Sequence, residues 1–180
     1  MSHPDHFALF ALPVRFAIDE AALDIAHKAV QSKIHPDRFA AGTAAERRVA
    51  MQWAARANEA YRTLKSPLAR AAYLCERAGV PIDAQSNTAM PAEFLVQQLE
   101  WREALDEARH ERDATQLTAL ETQMAAERSR LIADIAEALD RRADHASAAG
   151  LVRQLMFIEK FGEEVRNVET SLVQPREASA

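Results

Sequence analysis

Glycine and proline, the two residues that interrupt helices, occur only 4 and 7 times in 180 residues. The remainder is rich in Ala, Leu, Glu and Arg, which commits the chain to mostly helix. Aromatic residues make up 6%, too few for a β-sandwich or a barrel. The apolar share of 48% and the charged share of 27% suit a soluble chain of one domain or two small ones. A single cysteine excludes a disulfide framework and a cysteine-rich zinc site. No apolar run reaches the ~18 residues that a membrane span needs. The opening MSHPDHFALF is acidic and histidine-bearing, unlike a secretion signal. The expected compartment is the cytoplasm.

The few breakers mark out the organisation. Ala78–Pro91, AGVPIDAQSNTAMP, holds Gly79, Pro81 and Pro91 around a polar, aperiodic middle, which is loop chemistry. Before it, a short apolar stretch Phe7–Leu12 stops at Pro13. Asp19 is an N-cap candidate for a helix carrying Leu23, Ala26, Val30 and Ile34. Pro36 ends that helix, since the residue before a proline is pushed out of the α region. Thr43 and Glu46 form a capping-box pair for the next helix, predicted to bury Val49, Trp53, Ala57, Ala60 and Leu64. Ser66-Pro67 ends it and starts another, with Leu68, Ala71, Ala72 and Cys75 inward. After the break, three helices are predicted over 92–111, 114–141 and 145–172, with Gly150 and Gly162 interrupting the last. Short connections favour an antiparallel three-helix bundle. The tail 174–180 is expected to fray.

Charge divides at the same place. Residues 1–78 hold 11 Lys+Arg and 8 Asp+Glu, net +3; residues 79–180 hold 11 and 19, net −8. The split suggests two units with different partners. Net +3 without a clustered basic stripe does not point to nucleic acid.

Two features stand out as candidate sites. The first is Lys33-Ile34-His35-Pro36-Asp37-Arg38 at the tip of a helical hairpin. Pro36 stiffens a loop that displays His35 and Asp37. A hairpin tip has no pocket, so it suits contact with a partner better than chemistry. The tripeptide alone equally fits an ordinary helix-stop turn. A second copy, His3-Pro4-Asp5, has no helix before it and reads as chance in a loose terminus. A metal-dependent hydrolase using His27, His35 and Asp37 falls short of the usual ligand count. Cys75 sits on an apolar helix face and reads as a buried small hydrophobe, and Trp53 and Trp101 as core anchors.

The second feature lies on the helix over 92–111. Phe94, Gln98, Trp101, Leu105 and Ala108 fall within roughly 40° of one line at ~100° per residue, and define the core face. Val96 and Leu99 lie about 140–160° from that line and Leu95 about 100°. Around them stand Glu100, Glu103, Asp106 and Glu107. Branched aliphatics do not belong on the polar side of an amphipathic helix. The strip is either a binding face or is covered by a neighbouring segment.

The motifs add up to a resemblance. His35-Pro36-Asp37 after a basic helix, then Asn58-Glu59-Ala60-Tyr61 with Leu64 and Pro67, resembles the J-domain of DnaJ-type co-chaperones over residues ~5–75. Phe7–Pro13, Arg70-Ala71-Ala72-Tyr73-Leu74, Phe94-Leu95 and Leu99-Glu100-Trp101-Arg102-Glu103 narrow it to the HscB family, the J-type co-chaperones of iron–sulfur cluster biogenesis in their bacterial form. The resemblance implies an all-α protein: a J-domain over 1–78, a linker over 79–91 and a scaffold-binding bundle over 92–173. It implies no enzyme and no cofactor. Lys28, Lys33, His35, Pro36, Asp37 and Arg38 would dock on an HscA-type heat-shock ATPase and speed its ATP hydrolysis. Leu95, Val96, Leu99, Glu100, Glu103, Glu107 and Phe157 would bind an IscU-type scaffold protein. No nucleic acid or membrane partner is implied, and the expected state is a monomer. A J-domain protein with a different client is the alternative, although the Gly/Phe-rich linker and zinc-binding cysteine pairs of general chaperones are absent.

Overall fold

The computed structural model describes residues 5–34, 42–83 and 90–173, all helix and connecting loop. Among the described residues, seven α-helices follow in order: α1 (His6–Leu9), α2 (Glu20–Ile34), α3 (Ala44–Lys65), α4 (Pro67–Arg77), α5 (Ala92–Glu111), α6 (Ala114–Ala136) and α7 (His145–Val173). A π-helical turn, Glu137–Arg141, continues α6. The expected tail and the 35–38 loop residues lie outside the described residues.

Local chemistry sets most helix ends. Asp19 Oδ1 accepts from the Ala21 and Ala22 amides and opens α2. Thr43 and Glu46 close a reciprocal capping box on α3. Ser66 Oγ accepts from the Ala69 amide, and Pro67 occupies the first turn of α4. Gly79, at φ 80°, ends α4 in a Schellman motif, with Val80 N–H to Cys75 C=O and Gly79 N–H to Glu76 C=O. Asp113 and Asp144 cap α6 and α7 through the amides of Thr115, Gln116 and Ser147.

Helices α5, α6 and α7 pack on one another as the bundle, and α2 and α3 form the hairpin. Helix α4 packs on both α3 and α7. A single apolar core therefore runs from Phe7, Leu23 and Leu64 through Ala71 and Cys75 into Leu131, Ile135, Val152 and Leu155.

Polar groups reinforce the junction. The Asp140 carboxylate, on the π turn, accepts from the backbone amides of Phe16 and Ala17 at 2.6 and 2.8 Å and pairs with Arg15. Arg70 is buried, stacks 5.0 Å over the Phe16 ring and donates to the Leu64 carbonyl at the end of α3.

Four expectations are corrected. Trp53, expected as a core anchor, is only half-buried and is not among the described core residues. Val49 is 51% exposed, and Ala50, about 100° round the helix, takes the inward place; the small side chains of Ala50, Ala57 and Ala60 let neighbouring helices approach α3 closely. Gly150 and Gly162 do not interrupt α7, because burial of Ala149, Val152, Leu155, Ile158 and Phe161 carries the helix through both. Asp5 is not part of a loose terminus: it caps α1 through the Ala8 amide and pairs with Arg77 of α4.

Candidate functional site

The two candidate faces are built differently. On the hairpin, the residues that matter for positioning are polar and lie between the helices. Asn58 Oδ1 on α3 accepts from the Gln31 amide at 2.8 Å and meets His27 Nε2 at 3.1 Å. The His27 ring stacks on Tyr61 with centroids 4.0 Å apart. Tyr61 Oη donates to Asp24, and Lys65 Nζ bridges Asp24 and Glu20. These donors hold the Asp24 carboxyl below its ordinary range, Lys65 contributing most and Tyr61 next. Asn58 and Tyr61 thus clamp α2 in register, while Ala60 and Leu64 between and after them are core. His27 belongs to this clamp and is no free metal ligand. Among the described residues no group of three or more His, Cys, Asp or Glu is gathered for a metal ion.

The clamp leaves the opposite face of α2 to solvent. Lys33 is exposed there, and Lys28 is exposed at the edge of the clamp, one turn beyond Asp24; neither makes an ion pair with another described residue. His35, Pro36, Asp37 and Arg38 follow directly in the chain and lie outside the described residues. The polar clamp is what sequence reasoning missed. Its signal was the spacing of His27 and Gln31 on one helix against Asn58 and Tyr61 on the next.

On the bundle, the face is apolar and outward. Phe94, Trp101, Leu105 and Ala108 are buried, and Gln98 is half-buried with its amide on Met90 Sδ. Leu95, Val96 and Leu99 are 50, 56 and 58% exposed. No described segment covers them. Glu100, Glu103 and Glu107 are exposed beside them and make no ion pair among the described residues.

Phe157 reaches the same flank from α7. Its half-buried ring meets Phe94 edge-on at 5.8 Å and stacks on Phe161 at 5.6 Å. Arg102 was not singled out from the sequence. Its guanidinium lies 5.7 and 5.8 Å over the Phe157 and Phe161 rings, a cation–π contact. It stands three residues beyond Leu99 and seven beyond Leu95, so the strip runs from Leu95 and Leu99 past Arg102 to Phe157. Cys75 is fully buried, and burial pushes its thiol up to about 11, which keeps it protonated.

Residues 90–166, most of the bundle, match the family model described as the HSCB C-terminal oligomerisation domain. The "Co-chaperone protein HscB homolog" of Bordetella avium is 53% identical over 169 residues, covering 94% of this chain and 99% of the relative. The chain belongs to the HscB co-chaperone family. The homolog of Cupriavidus taiwanensis is 57% identical over 157 residues, covering 87% of this chain and 89% of that one. HscB of Vibrio cholerae has the same fold at a TM-score of 0.81 and 34% identity, covering 94% of this chain and all of that one. The human co-chaperone HscB shares the fold at a TM-score of 0.87 and 23% identity, over 93% and 83% of the two chains. The architecture of the family, a J-domain followed by a C-terminal helical bundle, is the architecture found here. Among the described residues no helix is long and apolar enough to cross a membrane.

Proposed function

We propose that this chain works in iron–sulfur cluster assembly, delivering an IscU-type scaffold to an HscA-type heat-shock ATPase and stimulating ATP hydrolysis there. It catalyses no reaction itself and acts in the cytoplasm. The J-domain spans 1–78, the linker 79–91 and the scaffold-binding bundle 92–173.

The observation that carries the reading is the strip on α5. Among the described residues, three branched aliphatics stand uncovered beside carboxylates that make no ion pair, with Phe157 alongside. Apolar contacts supply the affinity of such a face, and carboxylates on its rim select a partner of opposite charge. Leu95, Val96, Leu99 and Phe157 form the anchoring part, and Glu100, Glu103 and Glu107 the selecting part. On the other half, Lys28, Lys33 and Arg38 steer α2 toward an acidic surface of the ATPase. His35, Pro36 and Asp37 form the tip that changes which state of the ATPase is favoured.

The test is titration calorimetry of the full chain with its cognate IscU-type scaffold, before and after Leu95→Ala with Leu99→Ala. Weakened binding supports the strip as the scaffold site, and unchanged binding moves the site elsewhere. The matching family model names oligomerisation, so a second copy of the chain is the other candidate occupant. Light scattering of the chain alone separates the two: a dimer that the double variant dissociates favours self-association.

A further inference from the structure

A groove of about 460 Å³ opens between the first turns of α5 and the facing stretches of α6 and α7, lined by Pro91, Phe94, Val96, Glu100, Arg130 and Gln154 among others. A second hollow of about 390 Å³ shares Pro91, Leu151 and Gln154 with it and continues toward Ser147 and Arg142. Gln154 is the unexpected residue in this wall. It is only 7% exposed, lines both hollows and makes no hydrogen bond with any described residue. Its neighbours on α7, Val152, Leu155 and Ile158, are plain core. Its amide nitrogen and oxygen keep contact with solvent in the hollows, where a ligand can pair with them. A primary amide carries one acceptor and two donors, the complement of a peptide group's C=O and N–H.

The charges around the groove are arranged for one sign of ligand. Arg130 is engaged within α6 by Glu127 and Asp134, so that wall offers no free cation and keeps a net negative charge. Glu93 and Glu100, two turns apart on the α5 rim, make no ion pair among the described residues. Arg142 lies in the far hollow. Walls of mixed polar and apolar side chains, a free backbone-pairing amide and a carboxylate rim at the α5 end suit an extended segment with a basic side chain at that end. Val96 and Glu100 belong both to this groove and to the strip on α5, so the two surfaces are continuous.

We propose that the groove receives an extended, lysine- or arginine-bearing segment of the protein that the α5 strip binds, with Gln154 pairing its backbone. The proposal rests on the scaffold reading above. Gln154 serves to fix the register of the bound segment, and Glu93 with Glu100 to select its cation.

The experiment uses the full chain and its cognate IscU-type scaffold. Gln154→Leu keeps the volume and removes the amide. It is expected to weaken binding about tenfold in calorimetry, the effect of leaving a bound backbone group unpaired, while the melting temperature stays level or rises. In the unsubstituted chain, the Gln154 side-chain amide resonance shifts when scaffold is added. Glu93→Gln with Glu100→Gln weakens binding further at low salt than at high salt. If Leu95→Ala with Leu99→Ala weakens binding but Gln154→Leu does not and its resonance stays fixed, the groove is overturned and the scaffold reading stands. If the unsubstituted chain does not bind scaffold, both fall. Should Gln154→Leu prove unstable, the resonance alone decides: a fixed signal overturns the groove.

Discussion

The hairpin half and the bundle half solve the same problem with opposite chemistry. In the hairpin, net positive, helix α2 is oriented by polar side chains at fixed distances, Asn58 to Gln31 and Tyr61 to Asp24. In the bundle, net negative, the helices are oriented by apolar volume, Phe94, Trp101, Leu131, Leu155 and Phe161. Both halves expose aliphatics: Ile25, Val49 and Met51 on the hairpin, and Leu95, Val96 and Leu99 on the bundle. What differs is the charge beside them, Lys28 and Lys33 on α2 against Glu100, Glu103 and Glu107 on α5. The difference teaches that directional hydrogen bonds fix the register of one helix on another, while apolar volume leaves the outward side of a helix free to carry further aliphatics.

Breaking the hairpin's part alone gives the largest effect. His35→Gln is expected to abolish stimulation of the HscA-type ATPase and to leave folding and scaffold binding as they were. Retained stimulation would remove the hairpin tip from the account. The converse break is Leu95→Ala with Leu99→Ala, expected to weaken scaffold binding by ~2–4 kcal/mol in total, the range of interface hot spots. Its thermal stability should hold, since both side chains are exposed.

The junction sharpens the comparison, because it asks whether the halves are independent. Asp140→Ala leaves the Phe16 and Ala17 amides without their charged acceptor and should cost about 2–3 kcal/mol in denaturant unfolding. The unsubstituted chain should unfold in one transition, through the core shared by α4 and α7. Two transitions would mean that the halves are separate units and that Asp140 belongs to a loose contact.

The smallest effect concerns acid. His6 stacks on Tyr73 at 4.3 Å, and burial holds its imidazole below the ordinary value. Between the unfolded and folded values the unfolded chain binds the extra proton, so stability falls as pH drops below about 6.5. Asp5 acts in the same direction lower down, since the Ala8 amide foremost, with Arg77, favours its carboxylate. His6→Phe keeps the stack and cannot titrate, so its melting temperature should change less between pH 7 and pH 5. An equal change would assign the acid sensitivity elsewhere.

The legibility of the sequence follows the same division. Helix ends were readable because capping is local: Asp19, Thr43 with Glu46, and Ser66-Pro67 act on amides two or three residues away. The core face of α5 was readable from its period, and the strip from its violation of that period. Asp140 and Arg102 were not readable, because each acts across elements: Asp140 holds a loop 124 residues back in the chain, and Arg102 covers rings on another helix. Val49 failed because a stripe gives the face of a helix and not how closely its neighbours approach.

The central claim is that one chain joins an ATPase-stimulating tip to a scaffold-holding strip. Steady-state ATP turnover of the cognate HscA-type ATPase, with this chain, with the scaffold and with both, tests it most directly. The account predicts synergy, with turnover in the presence of both exceeding the combined effect of each alone. Turnover raised by the chain but indifferent to the scaffold would contradict it.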